Sequence, residues 1–467
     1  MDDRAEPTIR IGIVLPEDRA ERVTVVLGNE RWHVRGESKD RHPSAGARLE
    51  FAAHGELVAA REGDDAAGVS PAWRIEPGGP VELRLLLIHR NRLIQVCDVV
   101  AGRGFHWQKP TNVSLPGRLE VTSRAGRLFV VNVLPIEAYL AGVITSEMSG
   151  ACPIEFLKSQ AVVARCWLLA RSERKHADLG IDYCNDDCCQ RYQGLTDMSD
   201  GAARAIEQTY GEVLIHESGV IVDANYSKSC GGIVEAPEPV WGHKKPGQYA
   251  VADGPPGGST DAFFGRCNQA LDEYLTGGWL ANCDAYCSPN VVPDADLPRY
   301  LGRVDDGCGR FRWTVDYTRA ELEAILRAKY FDRVGTTAAA PLHTLLDLVP
   351  IERGTSGRVT ALTLRYRDEG GAARTTTIRD QYWIRHALSR SFLYSSAFVP
   401  KIERDGQGLP NRIRLHGAGW GHGAGLCQIG ALGMGLLGKP HEEILDHYFE
   451  RSRRQSVYSI QAVKLEP

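Results

Sequence analysis

The apolar and polar positions at the start of the chain alternate with a period of two. Ile9, Ile11 and Ile13 form one such run and Val23, Val25 and Leu27 another, so both stretches predict strands. Residues 80–88 and 93–100 read the same way, which makes residues 8 to about 104 β-rich. The period changes after Val133. Pro135 suits the first turn of a helix, where its missing N–H costs nothing. Ile136, Tyr139, Leu140, Val143 and Ile144 then recur at helical spacing and predict an apolar stripe. Ser146, Ser149 and Gly150 interrupt the pattern and Pro153 restarts it. Leu157, Ala161, Ala164 and Leu168 line one face of a second helix, running to about Arg171. Farther on, Thr318 with Glu321 three residues later marks a helix start, and residues 359–366 and 412–415 look like strands. The fold class this predicts is α+β: a mixed core of helices and short strands behind an N-terminal β-rich lobe.

The run Asp253-Gly-Pro-Pro-Gly-Gly-Ser-Thr signals a loop, and Phe311-Arg-Trp resumes strand-like sequence. The expected division is a lobe over residues 1–104 and a core over 105–467, with 253–312 a cysteine-bearing insertion. A length of 467 residues agrees with more than one core. The net charge of −4 carries no electrostatic footprint for nucleic acid. No segment has the apolar length of a membrane span, and no secretory signal is visible at the N-terminus.

Two features suggest chemistry. The first is Glu147, the one charged residue between Ala138 and Pro153, at the break between the two predicted helices. Spacing alone reads it as a residue that caps or solvates a helix end. An isolated, desolvated carboxyl is also the kind of group that stays protonated near neutrality and serves as a general acid. The second is the run His416-Gly-Ala-Gly-Trp420-Gly-His422-Gly-Ala-Gly-Leu-Cys427-Gln428-Ile-Gly430. It contains a G-x-G-x-x-A string, but little chain remains after it for the βαβ unit that a dinucleotide site needs. Its glycines fit close approach of the backbone to a sugar or to another strand.

The chain has 12 cysteines. Cys184 and Cys188 are spaced as zinc ligands are, with Cys189 adjacent, although a disulfide or buried thiols fit the same spacing. Cys267, Cys283, Cys287 and Cys308 form a looser group whose state is open, and no second zinc is expected there. Cys97, Cys152, Cys166 and Cys427 lie in apolar surroundings and read as core thiols.

Several short motifs occur together in one order. They are Leu134-Pro-Ile-Glu-Ala-Tyr-Leu140, Ser146-Glu147-Met148, Gln160-Ala-Val-Val-Ala-Arg165, Cys189-Gln-Arg-Tyr-Gln-Gly194, Thr209-Tyr-Gly211, Ser229-Cys-Gly-Gly232, Val240-Trp241, Gly419-Trp-Gly-His-Gly423, Cys427-Gln-Ile-Gly-Ala431 and His447-Tyr448. In these the chain resembles the SpoIID/LytB family of cell-wall proteins, over roughly residues 105 to 450. The resemblance implies peptidoglycan glycan strands as substrate and a place in the cell envelope or outside the cell. It implies either of two activities: lytic transglycosylase cleavage, or non-catalytic enhancement of a cell-wall amidase, N-acetylmuramoyl-L-alanine amidase, as partner. The family's catalytic glutamate matches Glu147. His422, Gln428, Tyr226, Lys228, Trp420 and Arg165 are expected at the substrate, and Tyr139, Tyr192 and Trp241 are further aromatic candidates. The resemblance also implies a structural zinc with Cys184 and Cys189 as a pair. The third ligand is open between Cys188 and His176, and Asp186 and Asp187 are weaker candidates.

Overall fold

The computed structural model describes residues 5–79, 92–105, 108–170, 174–258, 284–303, 305, 310–335 and 339–458. The strand expected at 80–88 lies outside the described residues, as do Cys267, Cys283 and Cys308. Helices and open sheets are both present, so the fold is α+β as its periodicity predicts. The chain packs as two compact units. One comprises Met1–Leu214, Arg299–Asp305 and Arg454–Pro467; the other comprises Ile215–Pro298 and Asp306–Arg453. No helix among the described residues is long and apolar enough to cross a membrane.

Among the described residues the first unit opens with twelve strands: β1 (Thr8–Val14), β2 (Arg22–Val26), β3 (Trp32–Arg35), β4 (Asp40–Arg41), β5 (Arg48–His54), β6 (Leu57–Glu62), β7 (Asp65–Ser70), β8 (Ala72–Pro77), β9 (Ile94–Ala101), β10 (Lys109–Leu115), β11 (Arg118–Arg124) and β12 (Arg127–Pro135). Ile9, Ile11 and Ile13 are all buried, as their alternation predicts. Strands from both sides of position 104 share the two sheets of this unit. β1 pairs antiparallel with β12 from Thr8↔Pro135 to Val14↔Val130, and β9 pairs with β10.

β12 runs directly into helix α1 (Ile136–Glu147), with Pro135 at its N-cap. The expected stripe is in fact a helix buried on all sides: every one of its 12 residues is buried. Small residues permit this. A Cβ at Gly142 would lie 2.5 Å from the Tyr192 ring and 2.6 Å from the Gly194 carbonyl oxygen. The charge of Glu137 is matched inside by Arg165 on α2 (Ile154–Ala170). A short strand, β13 (Tyr183–Cys184), then pairs parallel with β1 at the edge of the seven-stranded sheet. Helix α3 (Asp200–Gln208), capped by Ser199, and strand β14 (Glu212–His216) follow.

In the second unit the elements that matter here are β15 (Tyr226–Ser227), β16 (Ile233–Val234), β17 (Val251–Ala252), β18 (Arg312–Thr318), α4 (Arg319–Leu326), β19 (Thr344–Arg353), β20 (Val359–Arg367), β21 (Ala373–Arg379), β22 (Phe398–Arg404), β23 (Pro410–Ala418), β24 (Leu426–Cys427), α5 (Gln428–Leu436) and α6 (His441–Tyr448). Two three-stranded sheets, β18-β23-β22 and β19-β20-β21, enclose a core that includes Trp313, Leu345, Leu364, Ile378, Phe398 and Leu415. α4 begins with the reciprocal cap that Thr318 and Glu321 predict.

Candidate functional site

Glu147 is the last residue of α1 and is 8% exposed, so the helix delivers its side chain to the edge of the packed interior. One carboxylate oxygen accepts a 3.0 Å hydrogen bond from the backbone amide of Arg191. The Arg191 guanidinium is clamped in turn by Asp187, at 2.9 and 3.2 Å, and by Asp305, at 2.9 Å. The end of α1 is braced from a second direction. The Ser149 amide donates to the Tyr300 carbonyl at 2.8 Å, and Met148 bridges to Leu301. Gly302 is needed there, since a Cβ would stand 2.6 Å from the Ser146 carbonyl oxygen. The Ser146 hydroxyl accepts from the Gln193 amide at 2.9 Å. Arg191, Asp187 and Asp305 form a support that the sequence reading did not identify; only the position of Arg191 in a matched motif pointed to it.

The loop that carries Arg191 begins at the cysteine cluster. One donor atom each from His176, Cys184, Cys188 and Cys189 falls within 4.8 Å of the others. The Cys184 and Cys188 sulfurs are 3.0 Å apart, and the Cys188 sulfur is 3.5 Å from His176 Nε2. A disulfide needs about 2.05 Å, and ligation of one tetrahedral zinc sets sulfurs about 3.8 Å apart. All three cysteines are free thiols. Hydrogen bonds from Cys184 and Cys189 hold the Cys188 thiol well below its ordinary pKa, favouring one thiolate in the group. Three sulfurs and an imidazole are a donor set that fits a divalent soft-to-borderline metal. Both Cys188 and His176, between which the third ligand was left open, lie in this cluster. Asp186 and Asp187 have other partners: Asp186 accepts from the amides of Gly102, Arg103 and Asp187, and Asp187 pairs with Arg191.

Arg165, expected at the substrate, is turned inward instead. Its guanidinium is wholly buried, donating to Glu137 at 2.7 and 2.6 Å and to the Glu212 carbonyl at 2.9 Å. Glu137 also accepts from Tyr458 and from the Gly211 amide. The motif residue is therefore an internal ion pair, because Glu137 needs a cation once α1 is buried on all sides. Tyr139 and Tyr192 are also fully buried and pack against each other at 4.8 Å between ring centroids.

The other expected binding residues lie in the second unit, where β15 and β24 gather them. Tyr226 pairs with Leu426, Ser227 with Cys427, and Ser229 bridges to Trp420. Tyr226 and Trp420 remain partly exposed, whereas Lys228 and Gln428 are buried, Gln428 at the start of α5. His422 packs edge-on against Trp241 at 5.1 Å, and its Nδ1 accepts from the Ala424 amide at 3.1 Å. Burial, reinforced by Arg385, Arg358 and Lys245, pushes its pKa down to about 3, so the imidazole is neutral near pH 7 and carries its proton on Nε2. The Tyr226 backbone hydrogen-bonds this ring as well. His422 thus fixes the turn on which Trp420 stands.

The glycine run wraps around protein. A Cβ at Gly423 would lie 2.1 Å from the Arg358 guanidinium carbon, and one at Gly425 2.1 Å from the Asn225 carbonyl oxygen. Both glycines have positive φ, 80° and 73°. The run is followed by a two-residue strand and α5, so it does not open a βαβ nucleotide unit.

Comparison with known proteins places the first of these arrangements in a class. A family model described as Stage II sporulation protein, SpoIID, matches residues 124–216, which hold α1, Glu147 and the cysteine loop. The resemblance to the SpoIID/LytB family is shown for that segment. A model described as a domain of unknown function, DUF8618, matches residues 299–425. Among individual proteins, the chain is 26% identical over 322 residues to an uncharacterized protein of Brachyspira hyodysenteriae, an alignment covering 69% of this chain and 67% of that one. It is also 26% identical over 325 residues to the amidase enhancer of Bacillus subtilis, covering 66% of this chain and 39% of the relative. The chain therefore spans about two thirds of the first relative's length and about two fifths of the second's.

Proposed function

We propose that the protein acts on peptidoglycan in the cell envelope, cleaving glycan strands as a lytic transglycosylase with Glu147 as its single general acid/base. The observation that carries this reading is the bracing of Glu147. A carboxylate at the end of a buried helix, held by the Arg191 amide and supported by Asp187 and Asp305, is aimed with little freedom. In the reaction, the Glu147 carboxyl gives its proton to the glycosidic oxygen as the bond to the anomeric carbon breaks. The resulting carboxylate then takes the proton of the same sugar's 6-hydroxyl as that oxygen closes a 1,6-anhydro ring. The proton returns to Glu147 and no water is consumed. An internal hydroxyl replaces the second carboxylate that hydrolases use.

Tyr226 and Trp420, partly exposed on the β15–β24 framework, are the surfaces we assign to sugar stacking, with Lys228, His422 and Gln428 fixing that framework. A zinc ion on His176, Cys184, Cys188 and Cys189 would hold the start of the loop that ends in Arg191. Its part is structural: it fixes loop geometry and supplies no step of the reaction.

Glu147→Gln keeps shape and removes the titratable proton. General acid–base catalysis contributes about 100- to 10,000-fold, so the variant should lose anhydro-ended products from intact or denuded strands while retaining glycan binding. Cleavage by Glu147→Gln at the wild-type rate would falsify the assignment.

The similarity to an amidase enhancer supports a second reading, in which the chain binds wall glycan and raises the activity of a cell-wall amidase without chemistry of its own. Wild-type protein that leaves both kinds of strand intact but stimulates an amidase would establish that reading instead.

A further inference from the structure

We propose that the second unit carries a metal centre of its own, in which Cys230, Asp253, Cys287 and Cys427 bind one structural zinc ion. The four residues come from separate places: Cys230 follows β15, Asp253 follows β17, Cys287 lies in the turn-rich stretch after residue 284, and Cys427 ends β24. Their donor atoms nevertheless all fall within 4.8 Å of one another. Each residue is at most 2% exposed.

The geometry suits a tetrahedral metal better than a bare core. The Cys230 and Cys287 sulfurs are 3.7 Å apart, close to the separation of about 3.8 Å that two zinc–sulfur bonds of about 2.3 Å impose. They are far outside disulfide range, and Cys230, Cys287 and Cys427 are all free thiols. Asp253 Oδ2 is 3.1 Å from the Cys230 sulfur, while Oδ1 accepts from the Tyr448 hydroxyl at 2.6 Å, the kind of outer contact that orients a metal-bound carboxylate. Backbone amides point at the sulfurs. Cys230 N and Gly430 N reach Cys427 Sγ at 3.2 and 3.3 Å, and Gly232 N reaches Cys230 Sγ at 3.3 Å. Neutral thiols are poor acceptors, whereas metal-bound thiolates gain from such donors.

Charge gives a second reason. The basic group nearest Asp253 is His447, whose Nε2 is 3.9 Å from Oδ1; among the described residues no lysine or arginine pairs with this buried carboxylate, and a charge so weakly compensated in such a place is costly. A divalent ion at the focus of the four donors removes that cost. The excess negative charge then faces Arg358, whose buried guanidinium feels Cys230, Cys427 and Cys287 and donates to the Cys230 carbonyl at 3.1 Å. The ion would tie the Cys230-Gly-Gly turn, the start of α5 and the stretch around Cys287 into one knot, locking the glycine run that lies between Arg358 and β15.

The experiment is elemental analysis of full-length protein purified without added metal, in three forms. Cys184→Ser/Cys189→Ser removes the donors of the first-unit cluster and should still contain one zinc per chain; a folded variant with none overturns the proposal. Cys427→Ser is the mild lesion on the other side, because the Cys427 sulfur caps α5 by accepting from Gly430 N and serine is a better cap. It should lose one zinc per chain, relative to wild type, on dialysis against a chelator concentration that leaves wild type loaded. Equal retention overturns the proposal, as does a Cys230–Cys287 disulfide in the mass spectrum of the wild-type protein. Should the double variant fail to fold, Cys427→Ser against wild type decides the matter alone.

Discussion

Arg191 holds Glu147 with its backbone and is itself held by its side chain. The amide reaches the Glu147 carboxylate at 3.0 Å, and the guanidinium is anchored between Asp187 and Asp305. The two carboxylates come from distant parts of the chain. Asp187 is four residues before Arg191, and Asp305 is 114 residues away in the segment that returns to brace α1.

Asp305→Asn should therefore loosen Arg191 without touching Glu147. If aim matters, kcat on glycan strands should fall by about 10- to 100-fold while KM changes little, since a displacement of about 1 Å can cost about 100-fold. Steady-state kinetics on denuded strands reads the split. A variant with wild-type kcat would mean that the clamp does not position the acid.

The Glu137–Arg165 pair sets a stability prediction. Both side chains are wholly buried, so removing one charge strands the other. Arg165→Met should lower unfolding free energy by about 3–5 kcal/mol, measured by urea denaturation. Glu137→Leu/Arg165→Met should lose less than the sum of the two single changes, because it leaves no orphaned charge. Additive losses would show that the pair does not act as a unit.

Glu6 supplies a pH dependence. Burial pushes its carboxyl up from 4.5 to about 7, against hydrogen bonds from Tyr210 and the Glu137 amide and the field of Arg165, which act the other way; the nearby Glu137 charge adds to the rise. The folded state then binds more protons than the unfolded state between pH about 4.5 and about 7. The group's contribution is full below that window and lost as pH rises through it. Glu6→Gln should give a shallower fall in stability between pH 5 and 8. Parallel profiles for the two proteins, measured at constant ionic strength, would remove Glu6 as the cause.

For the first-unit cluster, protein purified without added metal should contain zinc, and Cys184→Ser should lower the amount. A chelator that strips this site should also reduce glycan cleavage, because the loop from Cys184 leads to Arg191. Metal-free protein with a Cys184–Cys189 disulfide would end the zinc reading there.

What the sequence disclosed follows from how local each signal is. The α1 and α2 helices, the Thr318 cap and the grouping of Cys184, Cys188 and Cys189 are short-range patterns, and the structure contains each of them. The role of Arg165 was hidden because its partner is 28 residues away and the motif says nothing about which way the side chain turns. Cys427 read as a core thiol because its neighbours in the second cluster have no spacing relation: from Cys230, Asp253 is 23 residues away, Cys287 is 57 and Cys427 is 197. The boundary drawn near residue 104 shows the same limit. Composition marks the strands before it, but only the β1–β12 register reveals that they share a sheet with strands after it.

The threading of the first unit has a consequence for biosynthesis. Its Glu137 carboxylate is completed by the hydroxyl of Tyr458, 321 residues farther along, and α1 is braced by residues near 300. A nascent chain emerging from the ribosome meets these demands in reverse: the helix that delivers Glu147 is made first, and a group that secures its base arrives 321 residues later. A chain cut short of Tyr458 would carry a complete Ser146-Glu147-Met148 sequence on a helix that lacks this contact. Competence would follow the addition of Tyr458, long after the glutamate itself is in the chain.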